Sequence, residues 1–271
     1  MESPRWIIDI EDLLSTYEYF IPKTKILQAE KWLPLEDSSR LSCEFAYLLG
    51  KSFGDGHLDK RFTFKHSGEK ENQEQLKYFL IETFDLSDSS VKLIENKYSK
   101  GSSTILQVNN SIFGRILYTL GAPIGNKTKQ SFLVPTWIIE NKENSRSFLR
   151  GILEDELSTI KIRNKTHSSS AMLKMTKRPG LIASLREFLE EIGHMLESLD
   201  IECSEVSGKT YSKKEQKTQE LYLLIHGNKK NILQFRDNIG FRLHKRKINE
   251  LENCCKIIEN SLLKEDAGDR I

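Results

Sequence analysis

No apolar run in this chain approaches the ~20 residues that span a bilayer, and its opening, MESPRWIIDIEDLL, lacks the basic stretch and small-residue cleavage site of a secretory signal. The expectation is an intracellular protein, cytoplasmic or nucleoid. Cysteine is scarce: Cys43, Cys203, Cys254 and Cys255 show neither C-x-x-C spacing nor a nearby histidine ladder, which argues against a zinc module and against a disulfide framework. An excess of one charge is lacking too, since 41 Lys and Arg stand against 39 Asp and Glu for a formal net charge of +2. Whole-chain charge therefore does not point to nucleic acid, and only a segregated distribution could do so.

What is present is enough for a sizeable core: 271 residues, 38% hydrophobic and 9% aromatic. The chain also repeats itself weakly. From the helix-like AYLLGKSF, the first half runs through RFTFKHS, a helix NQEQLKYFLIETF, strand-like SVKLIEN and STILQVNN, a helix SIFGRILYTL, and Gly121. The second runs from RSFLRGILEDEL through STIKIRN and SAMLKMT, a helix GLIASLREFLEEIGHMLESL, strand-like IECSEVS and ELYLLIHG, a helix KNILQFRDNI, and Gly240. Both read α-β-β-α-β-β-α, joined near VPTWIIENKEN. Residues 1–41, with apolar Leu13, Leu14, Tyr17 and Phe20, stand outside the duplication as a helical extension.

The two opening helices explain each other. Ala46, Gly50 and Gly54 form a stripe of small residues at fourfold spacing, and Ser147, Gly151 and Asp155 recur at the same spacing. Two glycines inside a helix cost roughly 1 kcal/mol each relative to alanine, a cost that close backbone packing against a partner helix offsets. In each half an acid follows the central glycine by five residues, Asp55 after Gly50 and Glu156 after Gly151. Helices paired about a pseudo-two-fold axis would bring both carboxylates to one end, where they would repel unless a divalent cation lay between them.

On these residues the chain resembles the LAGLIDADG homing endonucleases in their monomeric, two-motif form. The motifs are LLGKSFGDG, 48–56, and LRGILEDEL, 149–157; LGAPIGNKTKQSFLVPTWI and IGFRLHKRKINELE resemble the Gly-then-basic segments that close the repeats. The likeness covers roughly residues 42–255. It implies an α+β fold of two pseudo-symmetric αββαββα repeats forming a saddle, with two antiparallel sheets lying on double-stranded DNA and the motif helices at the repeat interface through Gly50, Gly54 and Gly151. The implied division is an extension 1–41, a first repeat 42–141, a second 142–263 and a tail 264–271.

The activity so implied is site-specific double-strand cleavage by a monomer, with Mg2+ or another divalent cation. Asp55 and Glu156 would be catalytic metal ligands, each serving one strand. Lys127 matches the family's basic residue after the first repeat, and Lys245 or Arg246 the one after the second. GAPIGNKT is not a phosphate-binding P-loop: its glycines are one residue too close, Asn126 precedes Lys127, and a helix leads into it.

Alternation puts Arg61, Thr63 and Lys65 on one strand face and Thr159, Lys161, Arg163 and Lys165 on another, the polar basic surface that a sheet in a major groove needs. Lys209, Lys213, Lys214 and Lys217 in GKTYSKKEQK suit phosphates at a hairpin tip. His57, just past the first acid, can reach a phosphate or serve only the turn.

The second motif departs from the pattern. Asp155 stands where a small residue is expected, so that its charge against Gly54 calls for hydration or a metal, and Leu157 replaces the closing glycine. Two other classes therefore stay open: a cleavage-deficient protein acting as an RNA-splicing maturase, with intron RNA as partner, or as a DNA-binding regulator; and a protein-interaction module on a nuclease scaffold. The ends Met-Glu and DAGDRI carry no intein nucleophile or terminal His-Asn, so the expectation is a freestanding or intron-encoded protein.

Overall fold

The computed structural model describes residues 5–19, 21–96, 103–163, 167–209 and 218–268. The chain divides into two compact units, residues 1–127 with 134–155 and residues 128–133 with 156–271. Among the described residues no helix is long and apolar enough to cross a membrane.

The first unit opens with β1 (Trp6–Ile8), α1 (Ile10–Ser15), α2 (Lys23–Ala29) and β2 (Leu35–Glu36), β1 and β2 forming an antiparallel ribbon. This extension is more than helical, and it belongs to the unit's core. Trp32 is buried, packs edge-on against Phe113 and donates its indole N–H to Phe84 O at 3.0 Å. The Arg115 guanidinium lies between the Tyr17 and Phe62 rings, 3.8 and 3.9 Å from their centroids, and donates to Thr16 O.

Next comes α3 (Arg40–Phe53), capped by Ser39, whose hydroxyl accepts from Ser42 N–H at 3.1 Å. Buried on nearly every side, α3 is the central rod of the unit. It leads into β3 (Gly56–Leu58), β4 (Phe64–Gly68), α4 (Lys70–Phe84), β5 (Val91–Asn96), β6 (Ser103–Val108) and α5 (Ser111–Thr119). The strands form one antiparallel sheet in the order β3-β4-β6-β5, with α4 packed on it. Gly121 ends α5 with φ +112°, a conformation that glycine adopts without strain, and Ala122 N–H bonds back to Leu117 O at 2.9 Å.

After α6 (Thr136–Ile139), α7 (Lys142–Glu156) carries the second motif back against α3. The approach is at backbone distance. A Cβ on Gly50 would sit 2.2 Å from Phe148 O, and one on Gly151 2.2 Å from Tyr47 O. Phe53 and Phe148 pack edge to face beside the crossing, 5.4 Å between centroids.

The second unit holds β7 (Ile162–Arg163), β8 (His167–Ser168), β9 (Ala171–Lys177), α8 (Ile182–Glu197), β10 (Ser207–Lys209), β11 (Gln219–Ile225), α9 (Lys229–Asn238) and α10 (Lys245–Gly268). Its antiparallel sheet has the order β10-β11-β9, with α8 on one face. Two expected strands are shorter than the sequence suggests. Of STIKIRN, β7 pairs among the described residues with its own return limb β8 alone, a short closure that costs little chain entropy. Of IECSEVS, only Cys203 bridges Ile225 before β10 begins at Ser207; Ser204 meanwhile turns its hydroxyl to accept Leu224 N–H at 3.0 Å. Lys177, which the alternation pattern did not single out, is buried over the Phe132 ring and donates to Gln130 O.

Candidate active site

Asp55 stands where α3 gives way to β3. The helix closes with Gly54 N–H on Gly50 O at 3.0 Å, and the Asp55 side chain emerges to solvent. Beyond Gly121 the chain runs beside β3, with Ile124 bridging Leu58 in parallel and Gly125 N–H bonding Leu58 O at 2.8 Å. That path delivers Lys127, whose Nζ donates to Ser52 O at 3.2 Å, to Phe53 O at 3.1 Å and to Gly54 O. A cation on the last carbonyls of a helix complements its dipole. Here it also fixes the residues that lead into Asp55.

Behind Asp55 lies a buried polar network that the stripe of small residues did not reveal. Lys51 Nζ meets Glu154 Oε2 at 2.8 Å and Asp155 Oδ1 at 2.7 Å; Tyr47 Oη donates to Glu154 Oε2 at 2.5 Å. The other oxygen of Asp155 accepts from His66 Nε2 at 2.9 Å and from Asp55 N–H at 3.1 Å, and the Gln73 amide holds His66 Nδ1. The expectation that Asp155 needs water or a metal is thus corrected: a lysine, a histidine and a backbone amide satisfy it. Gly54 makes room for it, because a Cβ there would lie 2.7 Å from Asp155 Cβ. Lys51, in the middle of AYLLGKSF, was the available signal, since a lysine on a core helix needs buried acids facing it.

Electrostatics divides the two acids. Burial opposes ionisation of Asp155, but Lys51 and His66 outweigh it and hold the carboxyl far below the usual carboxylate range. Asp55 is pushed up, first by the surrounding protein mass and then by the Asp155 charge, against the opposing pull of His66, Lys127 and Lys51. An accessible carboxylate next to a fixed negative charge is a fitting hard-oxygen ligand for a divalent cation.

The second motif ends differently. Glu156, the last residue of α7, is half-buried. Leu157 takes the glycine's place by entering the sheet, buried and bridged to Leu173. Its carbonyl accepts from Lys247 Nζ at 2.6 Å. The ammonium found at the end of the second motif is therefore that of Lys247, on the buried side of α10; Lys245 and Arg246 are exposed at its start. Successive residues of a helix point about 100° apart, so the burial of one of three consecutive basic residues is a distinction invisible to spacing from Gly240.

The first sheet turns one face to α4 and leaves the other open. Phe64, His66, Val91, Leu106 and Val108 line the covered face. On the open face His57, Lys65, Gln107 and Lys92 pair in register across all four strands, starting two residues from Asp55. Lys65 also reaches Asp59 Oδ2 at 3.3 Å. Arg61 and Thr63 do not extend the strand, as alternation suggested. They lie in the β3–β4 turn, which Asp59 organises by accepting Arg61 N–H at 2.9 Å and Thr63 N–H at 3.0 Å. In the second unit Lys161 is exposed just before β7. The side chains of Arg163 and Lys209, and all of Phe20, Lys165, Lys213, Lys214 and Lys217, lie outside the described part of the chain.

Compared with known structures, the chain is similar to the homing endonuclease I-WcaI bound to its DNA recognition sequence: TM-score 0.51 and 16% identity, over 89% of this chain and 98% of that one. The chain has the LAGLIDADG fold. A further structure, the N-terminal LAGLIDADG domain of WhiA, is similar at TM-score 0.46 and 16% identity over 87% of this chain and 98% of that one. No protein-family model matches. Among curated proteins, the chain is 27% identical over 237 residues to the tRNA-splicing ligase RtcB of Pyrococcus furiosus, covering 82% of this chain and 24% of the relative. It is 27% identical over 215 residues to the replication factor C small subunit of Methanocaldococcus jannaschii, 74% of this chain and 11% of the relative. It is also 26% identical over 238 residues to that organism's RNA polymerase subunit Rpo1N, 82% and 17%. The chain thus spans about a quarter or less of the curated relatives that it matches.

Proposed function

We propose that this LAGLIDADG-fold protein is a site-specific endonuclease that hydrolyses double-stranded DNA with divalent metal ions, Asp55 and Glu156 each supplying a carboxylate ligand. The observation that carries the reading is Asp55, a solvent-reaching carboxylate at the end of a glycine-packed helix, with its proton affinity raised by burial and Asp155, and with a lysine-bearing sheet face beginning two residues away. When bound, the metal would activate water and neutralise charge on the leaving oxygen. Lys127 holds the carbonyls before Asp55 and so fixes its approach; Lys65 and Lys92 offer cations to phosphates beside the base-facing row. The curated relatives bear names with no shared activity, and each shares with this chain only a minor part of its length. A segment distributed among such unrelated proteins suits a mobile coding element, which a double-strand endonuclease can propagate.

A second reading, a cleavage-deficient maturase or DNA-binding regulator, is favoured by the second motif, where Asp155 is committed to Lys51 and His66 and Leu157 has joined the sheet. One experiment separates the two: selection of bound and cut sequences from a random duplex library, first with magnesium and then with calcium. Cleavage in magnesium that Asp55→Asn abolishes supports the endonuclease. Retention of a specific sequence with no cutting under any divalent metal overturns it in favour of the second reading.

A further inference from the structure

One row beyond His57, Lys65, Gln107 and Lys92, the open face of the first sheet changes character. Ile94 of β5 and Ile105 of β6 are direct partners in the ladder, and Ser67 of β4 completes their row. Ile94 is 42% exposed and Ile105 is half-buried, on the side away from α4. The exposed face of a sheet ordinarily carries polar side chains, so two isoleucines side by side there are an anomaly that packing among the described residues does not explain. The second unit repeats the composition on its own sheet, where Met172 and Leu224 are partners, both half-buried, one row from Lys174 and Tyr222.

We propose that the Ile94–Ile105 pair reads thymine methyl groups in the major groove, and so sets part of the target sequence; the proposal rests on the DNA-binding reading above. The occupant follows from the neighbouring row. Lys65 and Lys92 complement phosphates and Gln107 can pair with an adenine edge, so whatever covers the isoleucines must be polyanionic a few ångströms away and apolar at the contact itself. The thymine C5-methyl is the apolar group that a DNA major groove presents. Partnered Cβ atoms on a sheet lie about 5 Å apart, a span that matches bases one or two steps of about 3.4 Å apart. The pair therefore selects A·T pairs, thymine on the contacted strand, at neighbouring positions.

The test uses the full chain and its own selected duplex in calcium, with deoxyuridine replacing one thymine at a time so that only a methyl is lost. One or two neighbouring replacements should weaken binding about fourfold each, as expected for about 0.8 kcal/mol per buried carbon. At those positions the combined variant Ile94→Ser with Ile105→Ser should bind thymine and uracil alike, whereas Ile94→Val, which keeps an apolar contact, should preserve the difference. A thymine preference that persists in the serine variant, or the absence of any methyl-dependent position, overturns the proposal while leaving DNA binding intact. Failure to retain any duplex overturns the DNA-binding reading itself.

Discussion

Lys51 Nζ lies 2.7 Å from Asp155 Oδ1, joining the two motif helices through side chains that are 5% and 4% exposed. Asp155 stands opposite Gly54, where the stripe calls for a small residue, and the ion pair turns this apparent defect in the second motif into a structural element of the first unit. Asp155→Ala should therefore cost stability. The expected loss is about 3 kcal/mol, the low end for breaking a buried pair because Glu154 still holds Lys51. Denaturant unfolding of the full chain measures it, and a neutral or stabilising result would show that the pair contributes nothing. Lys51→Met, which strands two acids, should cost more.

The same pair predicts acid sensitivity. Asp155 titrates below its unfolded value, so its contribution is present above about pH 3.9 and is lost as pH falls through the lower folded value. Unfolding free energies taken from pH 5 down to pH 2.5 should fall more steeply for the wild type than for Asp155→Asn. Parallel curves would remove Asp155 from the account.

A third expectation runs against helix propensity. Gly50→Ala and Gly151→Ala would each gain about 1 kcal/mol on propensity alone, yet the added methyl would sit 2.2 Å from a backbone carbonyl of the facing helix. Backbone cannot swing aside as a side chain can, so the helices must separate. A net destabilisation of about 1–3 kcal/mol is expected, read as a lowered melting temperature. A raised melting temperature in either variant would mean that the helices are not in contact there.

The parts of this architecture that were legible in the sequence are those set by local periodicity and by glycine. Helix spacing marked α3, α4, α5, α7, α8 and α9, and the glycines ending α5 and α9 both have positive φ. What was not legible depended on contacts between distant residues. The pairing of Lys51 and His66 with Asp155 joins positions about a hundred residues apart, and no local pattern encodes it. Lys247 was missed because only the direction of α10 shows which of three consecutive basic residues turns inward. Arg61 and Thr63 alternate like a strand, but the Asp59 carboxylate captures their amides into a turn.

The sharpest expectation concerns function. Asp55→Asn and Glu156→Gln nearly preserve shape while removing a negative charge, and Asp55 reaches solvent more than Asp155 does. If they are metal ligands, each should slow double-strand cutting by about a thousandfold or more, because several kcal/mol of transition-state stabilisation go with the metal. DNA affinity, measured by gel retardation without divalent metal, should be largely unchanged, and so should the melting temperature. Asp155→Asn provides the contrast in the opposite sense, since its charge is spent on Lys51 and His66: the melting temperature should fall, and any loss of cutting should accompany that fall. An Asp155→Asn variant that melts like the wild type but cannot cut, beside a Glu156→Gln variant that cuts normally, would move the proposed second ligand from Glu156 to Asp155 and displace the reading of the second motif by one residue.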